Sequence, residues 1–245
     1  MLVSIITPTY NSMRYIDETY QSILAQTYVN WEWIITDDNS TDGTYDFLSN
    51  LSKTDTRIKV YRNHINQGAG FSRNVCIKNS CGRFIAFLDS DDLWLPRKLE
   101  IQTSFMVNNK YALTYGYYQK FNSSGDCGVI KAPDTTNYNK LLHSNVIGCL
   151  TAMYDTELIG KKYMPTIRKR QDMALWLEIL KEVDQAHCVK ETIARYRSDS
   201  GMTSNKLNII FNQWQFYREH LKLNVILSCF YFLSYAYNGF AKKLK

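Results

Sequence analysis

The stretch RFIAFLDSDDLWLP, residues 83–96, decides how this chain folds. Its opening, residues 84–88, is an apolar run of strand length that stops at three carboxylates in four positions, Asp89, Asp91 and Asp92. A run without polar alternation predicts a strand buried on both faces. Three acids this close repel one another, so a fold keeps them only with a cation, hydrogen-bond donors or water in compensation. A hard divalent ion such as Mg²⁺ or Mn²⁺, which takes few protein carboxylates and completes its shell with phosphate oxygens, meets that need. The competing reading is a solvated turn in which Asp89 or Asp92 caps a helix beginning near Pro96.

Working outward, short apolar runs alternate with helical patterns. Residues 3–7, 31–36, 58–61 and 84–88 read as strands, and residues 13–26, 42–51 and 70–79 as helices between them. That rhythm predicts a mostly parallel α/β sheet with helices on both faces, and in such sheets ligands bind beyond the carboxyl ends of the strands. Four segments lie at those ends: TPTYN (7–11), DDNSTDGT (37–44), NHINQGAGFSRN (63–74) and DSDD (89–92). They are expected to line one crevice. The second half is less regular, with a Tyr-rich strand at 112–121, a turn at NSSGDCG, a strand at 146–154, and a helix at 171–183 carrying Met173, Leu175, Trp176, Ile179 and Leu180 on one side.

Composition narrows the class without naming a function. At 245 residues with 45% hydrophobic and 21% charged positions, the chain is globular and long enough for a large core. Lys and Arg exceed Asp and Glu by 29 to 23, a balance that suits an anionic ligand or a membrane surface. The six cysteines have no metal-ligand or Cys-x-x-Cys spacing, which predicts reduced thiols in a cytosolic protein. The first residues, MLVSIITPTYN, start the fold directly and lack the pattern of a secretion signal. No basic stripe interleaved with aromatic residues points to nucleic acid.

The end of the chain has its own character. Between Lys222 and Lys242 there are no charges, while Asn224, Ser228, Tyr231, Tyr235 and Asn238 recur at helical spacing opposite Leu, Ile, Phe and Val. With Lys222, Lys242, Lys243 and Lys245 flanking it, this pattern predicts a helix lying in a membrane interface. The alternative is an amphipathic helix packed on its own domain or on a second subunit.

VSIITPTYN, WIITDDNSTDGT, NQGAGFSRN and FLDSDDLW, in this order, resemble the family 2 glycosyltransferases, whose GT-A fold binds nucleotide sugars. The resemblance covers about the first two hundred residues. It implies that Pro8 and Tyr10 hold the nucleobase, Tyr10 by packing on it, and that Asp38 accepts the imide hydrogen of a uracil, so that the donor is a UDP-sugar. It places Asn66, Arg73 and Ser90 near the donor, Asp89 on its ribose or sugar, and Asp91 on a Mn²⁺ or Mg²⁺ bridging the diphosphate, with Asp92 orienting that group. Read without the family, Arg73 is a helix-surface charge. MPTIRKRQDMALWLEIL also matches, and implies that Asp172 is the general base for an inverting displacement. Gln171 departs from the Glu usual there, which removes a like charge that would raise the pKa of the base.

ARYRSDSGMTSNK resembles the loop that covers the diphosphate in relatives, with Arg197 stabilising the leaving UDP, although the usual histidine is missing and the segment is one residue short. Otherwise Arg195 and Arg197 are alternating strand residues facing solvent. IGCLTAMYD and the segment around Asp172 resemble bacterial transferases that build O-antigen, capsule or teichuronic-acid units on an undecaprenyl-diphosphate-linked saccharide acceptor. That resemblance implies a protein peripheral on the inner face of the cytoplasmic membrane, held through the terminal helix. The implied division is residues 1–110 for the nucleotide sugar, 111–205 for acceptor and catalysis, and 206–245 for membrane association. Two other functions stay open here: a haloacid-dehalogenase-like phosphatase, on the Asp-x-Asp after a strand, and a non-catalytic nucleotide-sugar-binding scaffold, on Gln171 and the short loop.

Overall fold

The computed structural model describes residues 1–199 and 206–241, and strand and helix alternate through its first half as the apolar pattern predicts. β1 (Val3–Thr9), β2 (Trp31–Asp37), β3 (Ile58–Arg62) and β4 (Phe84–Phe87) enclose α1 (Ile16–Leu24), α2 (Thr44–Thr54) and α3 (Ala69–Asn79). Along β1 and β2 every residue is buried, and the period of two sends Val3, Ile5, Trp33 and Ile35 into one core layer and Ile6 and Ile34 into the other. A strand covered on both faces has no solvent side to mark, so these sequences are mainly apolar with no exposed polar face. The polar Ser4 of β1 and Glu32 of β2 are bonded to each other at 2.6 Å.

The chain continues through β5 (Leu93–Trp94), α4 (Lys98–Asn109), β6 (Leu113–Asn122), β7 (Gly125–Ile130), β8 (Thr135–Thr136), α5 (Tyr138–His143), β9 (Met153–Asp155), α6 (Thr156–Ile159) and α7 (Gln171–Ile179). It ends with β10 (Ala186–Arg197), α8 (Lys206–Gln215) and α9 (Val225–Ala241). The described strands form one sheet in the order β3-β2-β1-β4-β9-β6-β10-β5, with β7 on β6 and β8 on β10. β3, β2, β1 and β4 are parallel. β9 runs antiparallel to β4 on one side and β6 on the other, and so joins the two halves of the chain in one sheet.

The functional crevice follows from one missing hydrogen-bond donor. The β1–β4 ladder ends where the Leu88 amide donates to the Ile6 carbonyl at 3.1 Å. The next amide on β1 facing β4 would belong to residue 8, and Pro8 has no N–H to give. Beyond Leu88 the chain therefore peels away from β1. Chain order also diverges here, since β1 neighbours β2 on one side and β4 on the other, which makes a topological switch point.

One element differs from the sequence expectation, and one expected turn takes a definite form. Residues 146–154 do not form a continuous strand: they make a loop, a 3₁₀ turn at Cys149–Thr151, and strand only from Met153. Met153 pairs with Ala86 and the Ala152 carbonyl accepts from the Phe87 amide at 3.4 Å, so residues before Ala152 would need partners beyond Phe87, where β4 has already ended. NSSGDCG is a tight hairpin corner, with Asn122 opposite Gly125 and the chain returning along β6 as β7.

The terminal helix has the expected stripes and packs on its own domain through the polar one. Its polar side faces the protein: Ser228 is buried, Ser234 Oγ lies 2.7 Å from His143 Nδ1, and Asn238 Nδ2 donates to the His143 carbonyl at 3.3 Å. Its apolar side points out, with Ile226 81% exposed and Phe230, Leu233 and Tyr237 also exposed. Among the described residues no helix is long and apolar enough to cross a membrane. Lys242, Lys243 and Lys245 lie outside the described residues.

Candidate active site

The strand ends meet in a crevice whose loops are fastened to one another. After β1, Asn11 adopts a left-handed conformation (φ 49°), which asparagine tolerates better than most residues. This turn lets its amide donate to Ser40 Oγ and its side-chain oxygen accept from the Thr41 amide, both at 2.9 Å. One residue on, the hydroxyls of Ser12 and Ser90 lie 2.7 Å apart and tie the end of β1 to the DSDD turn. Pro8 is buried in β1, whereas Tyr10 is 51% exposed at its end.

Asp38 is placed differently from the expectation of a carboxylate presented to a base. It is 3% exposed, and its oxygens accept from Asn63 Nδ2 at 2.7 Å and from the amides of Gln67 and Gly68 at 2.9 and 2.7 Å. A buried acid that accepts three such bonds fixes the loop before α3. Asn66 is exposed on that loop and reaches the Asp38 carbonyl at 3.4 Å.

The DSDD turn is held from both sides by arginines. Arg73 is buried, not a helix-surface charge, and its Nη2 donates to Asp89 Oδ1 at 2.5 Å. Burial acts most strongly, and against its positive charge, but Asp89, with smaller contributions from Cys149 and Asp172, outweighs burial and raises its pKa. Arg197 is likewise buried rather than solvent-facing. Its amide donates to Asp92 Oδ1 at 2.8 Å, its Nε to the Asp91 carbonyl at 2.9 Å, and its guanidinium lies between the rings of Tyr15 and Phe121. Neither Asp89 nor Asp92 caps α4, which begins at Lys98 without a side-chain cap. Burial pushes the Asp92 carboxyl well above the usual carboxylate range, Asp91 and Asp89 add to the push, and Arg197 opposes it. Arg195, by contrast, is half-exposed and pairs with Asp126.

The same cluster reaches α7. Gln171 is buried, donates from Nε2 to the Ile167 carbonyl at 2.5 Å, and accepts from Arg73 Nη1 at 3.3 Å. Next to it Asp172, half-buried in the first turn of α7, accepts from Asn145 Nδ2 at 3.2 Å. The half-buried Cys149 thiol lies within the electrostatic reach of these groups. Burial raises its pKa well above the ordinary thiol value, Arg73 opposes this, and the charges of Asp89, Asp172 and Asp92 add to it. The structure thus brings Asp89 and Gln171, the neighbour of Asp172, together on one buried arginine. Ser12, Asn145 and Glu18, which pairs with Arg197 at 2.8 Å, were missed for one reason: each is a common residue type whose importance comes from a neighbour far away in sequence. The loop at residues 200–205 lies outside the described residues.

With the geometry established, comparison with known proteins identifies the chain. The family model Glycosyl transferase family 2 matches residues 4–154, more than half of the sequence. The chain belongs to glycosyltransferase family 2. This family 2 member is 41% identical, over 99% of its length and 98% of the relative's, to TuaG of Bacillus subtilis, a glycosyltransferase assigned to teichuronic acid biosynthesis. It is 39% identical, over 98% of its length and 94% of the relative's, to WfgD of Escherichia coli, named a UDP-Glc:alpha-D-GlcNAc-diphosphoundecaprenol beta-1,3-glucosyltransferase. Its fold matches TarS of S. aureus, solved with UDP-GlcNAc, with a TM-score of 0.75 over 100% of this chain and 76% of that one at 20% identity. The family 2 fold is GT-A, a central sheet flanked by helices. The phosphatase alternative requires its Asp-x-Asp on the first strand, whereas here it follows β4.

A divalent ion fits this family 2 site only in a particular way. Among the described residues no three His, Cys, Asp or Glu side chains converge into a cage. Asp89 is paired with Arg73, and Asp92 is buried against the Arg197 amide. Half-buried Asp91 stands between them. One or two carboxylate oxygens suit Mg²⁺ or Mn²⁺ that draws its remaining ligands from phosphate and water, and do not suit an ion held by protein alone.

Proposed function

We propose that this glycosyltransferase inverts configuration as it moves a hexose, glucose in the first instance, from a UDP-sugar to the saccharide of a lipid-diphosphate-linked acceptor in bacterial surface-polysaccharide synthesis. The observation that carries this reading is the buried Arg73, which reaches Asp89 on the donor side and Gln171 beside Asp172. One cation thereby sets the spacing between the group facing the donor and the candidate base. The names of TuaG and WfgD support the acceptor class, and WfgD supports UDP-glucose.

In this mechanism Tyr10 supplies the face on which uracil packs, beside Pro8. Asp38 acts on the base subsite indirectly, by fixing the loop that carries Asn66. Asp89 and Ser90 line the ribose and sugar, with Arg73 holding Asp89 in one orientation. Mg²⁺ or Mn²⁺ bound through Asp91 and the diphosphate would neutralise charge on the departing UDP. Arg197 keeps Asp91 and Asp92 in place from below and adds a positive charge at the same end. Asp172, oriented through its Oδ2 by Asn145, takes the proton of the acceptor hydroxyl. That oxygen forms its bond to the anomeric carbon as the bond to the diphosphate oxygen breaks on the opposite face, and the electron pair leaves with UDP.

The outward apolar stripe of α9 supports a peripheral seat on the inner face of the cytoplasmic membrane, where such an acceptor resides. The test is D172N. Loss of the base is expected to reduce transfer by about 10²–10⁴-fold with UDP-sugar binding retained, and transfer at the wild-type rate would sink the assignment.

A further inference from the structure

The loop leading into α7 carries three consecutive cations, Arg168, Lys169 and Arg170, which none of the roles above uses. Two lysines earlier in that loop are engaged, Lys161 by the Lys78 and Ser80 carbonyls and Lys162 by Glu182, whereas Arg168 and Lys169 are exposed with no such partner among the described residues. Arg170 is held in a left-handed conformation (φ 64°) that costs a non-glycine residue about 1 kcal/mol or more. Its guanidinium lies 5.2 Å over the Tyr235 ring of α9, and its Nη2 is buried without a hydrogen-bond partner among the described residues. This contact fastens the basic loop to the helix whose apolar stripe points outward. A second path joins the same helix to the site, since Ser234 and Asn238 hold His143, and Asn145, two residues on, orients Asp172.

An apolar stripe at Ile226, Phe230, Leu233 and Tyr237, beside uncommitted cations, matches a bilayer surface, with hydrocarbon below and phosphate at headgroup level. We propose that Arg168 and Lys169 bind the diphosphate of the polyisoprenyl-linked acceptor while this stripe of α9 is seated in the bilayer. The proposal rests on the lipid-diphosphate acceptor of the preceding section. It adds the residues that recognise the diphosphate and the orientation that brings the acceptor's first sugars to Asp172. Two adjacent cations, one of them an arginine whose planar fork pairs with two phosphate oxygens at once, match the two linked phosphates of a diphosphate better than the single phosphate of an ordinary headgroup.

The experiment is flotation of the full chain with three vesicle types: phosphatidylcholine alone, phosphatidylcholine with phosphatidylglycerol, and phosphatidylcholine with undecaprenyl diphosphate at equal charge. Wild type is expected to bind the diphosphate vesicles most tightly. R168S/K169S is expected to lose about 25-fold of that affinity, about fivefold for each basic residue, and F230S/L233S to lose binding to all three. Circular dichroism identifies any variant that fails to fold, and R168K/K169R, which keeps the charge, provides the folded comparison by restoring most of the affinity. Equal binding to phosphatidylglycerol and diphosphate vesicles overturns the proposal, because charge alone then explains it. So does a dimer that F230S/L233S converts to monomer without any vesicle binding. Transfer from UDP-glucose, measured on the same wild-type preparation, reports separately on the glycosyltransferase reading.

Discussion

The substitution G70A tests whether α3 and α7 are set against each other with the tolerance that the chemistry needs. Gly70 lies in the first turn of α3, three residues before Arg73, and a Cβ added there would sit 2.9 Å from Gln171 Cδ and 3.1 Å from its Nε2. Gln171 cannot simply swing aside, because it is buried and bonded to both the Ile167 carbonyl and Arg73. Ordinary contact begins near 3.4 Å, so α7 and Asp172 must move from Arg73 and Asp89 by about 0.5 Å. If a 1 Å misplacement costs roughly 10²-fold, half of that costs about tenfold in kcat. Stability should move less: alanine gains up to about 1 kcal/mol of helix propensity over glycine, against roughly 1–3 kcal/mol for overpacking. The net is a fall in Tm of no more than about 8 °C for a domain of this size. The assay pairs initial rates of sugar transfer with thermal unfolding, and KM for the donor should stay near wild type. A G70A protein with undiminished kcat would refute the claim that this contact sets the catalytic spacing.

Other expectations follow from single groups. The Asp92 carboxyl is raised by burial first and by Asp91 and Asp89 next, so its stability contribution is complete below the unfolded carboxylate pKa and is lost as pH rises through the raised folded value. D92N should therefore unfold later than wild type at neutral pH and show a flatter dependence of Tm on pH, and an unchanged profile would argue against a buried charge there. Lys98 is fully buried with its Nζ over the Trp94 ring and without a hydrogen-bond partner among the described residues, and burial lowers its pKa well below the ordinary value. Its contribution is present above the unfolded lysine pKa and lost as pH falls through the depressed one. K98M should raise Tm at neutral pH, and a fall would show that the cation over the ring contributes more than its desolvation costs. Y10A should weaken UDP-sugar binding by about 1–3 kcal/mol if the ring stacks on the base, with Tm unchanged because the side chain is half exposed. Calorimetric titration that finds wild-type affinity would remove Tyr10 from the donor site.

What could be read in advance separates cleanly from what could not. The parallel block was legible because strands buried on both faces leave continuous apolar runs, as at residues 33–35 and 84–88. Residues 146–154 misled because their apolar content is shared by a 3₁₀ turn and a three-residue strand, and the place where pairing stops is fixed by the end of β4 elsewhere in the chain. In the site, Asp89 and Asp172 could be singled out by motif, while the buried state of Arg73 and Arg197 could not, since a charge on a helix or strand reads as solvent-facing until its partner is known. The stripes of α9 were visible as periodicity, but periodicity does not say which stripe faces the protein. That depended on His143, some ninety residues upstream.

β9 is three residues long, yet it is bonded to β4 on one edge and β6 on the other. A sheet continuous through this strand behaves as a beam and leaves no hinge about which one half of the chain could swing away from the other. Turnover then has to proceed without rigid-body opening, and the gating of substrate entry and product exit falls to loops and side chains at the rim. Such motions are local and cost few sheet hydrogen bonds, and they run from about nanoseconds for loop fluctuation to about milliseconds for gating closure. If release limits the rate, viscosity and loop composition should set its speed.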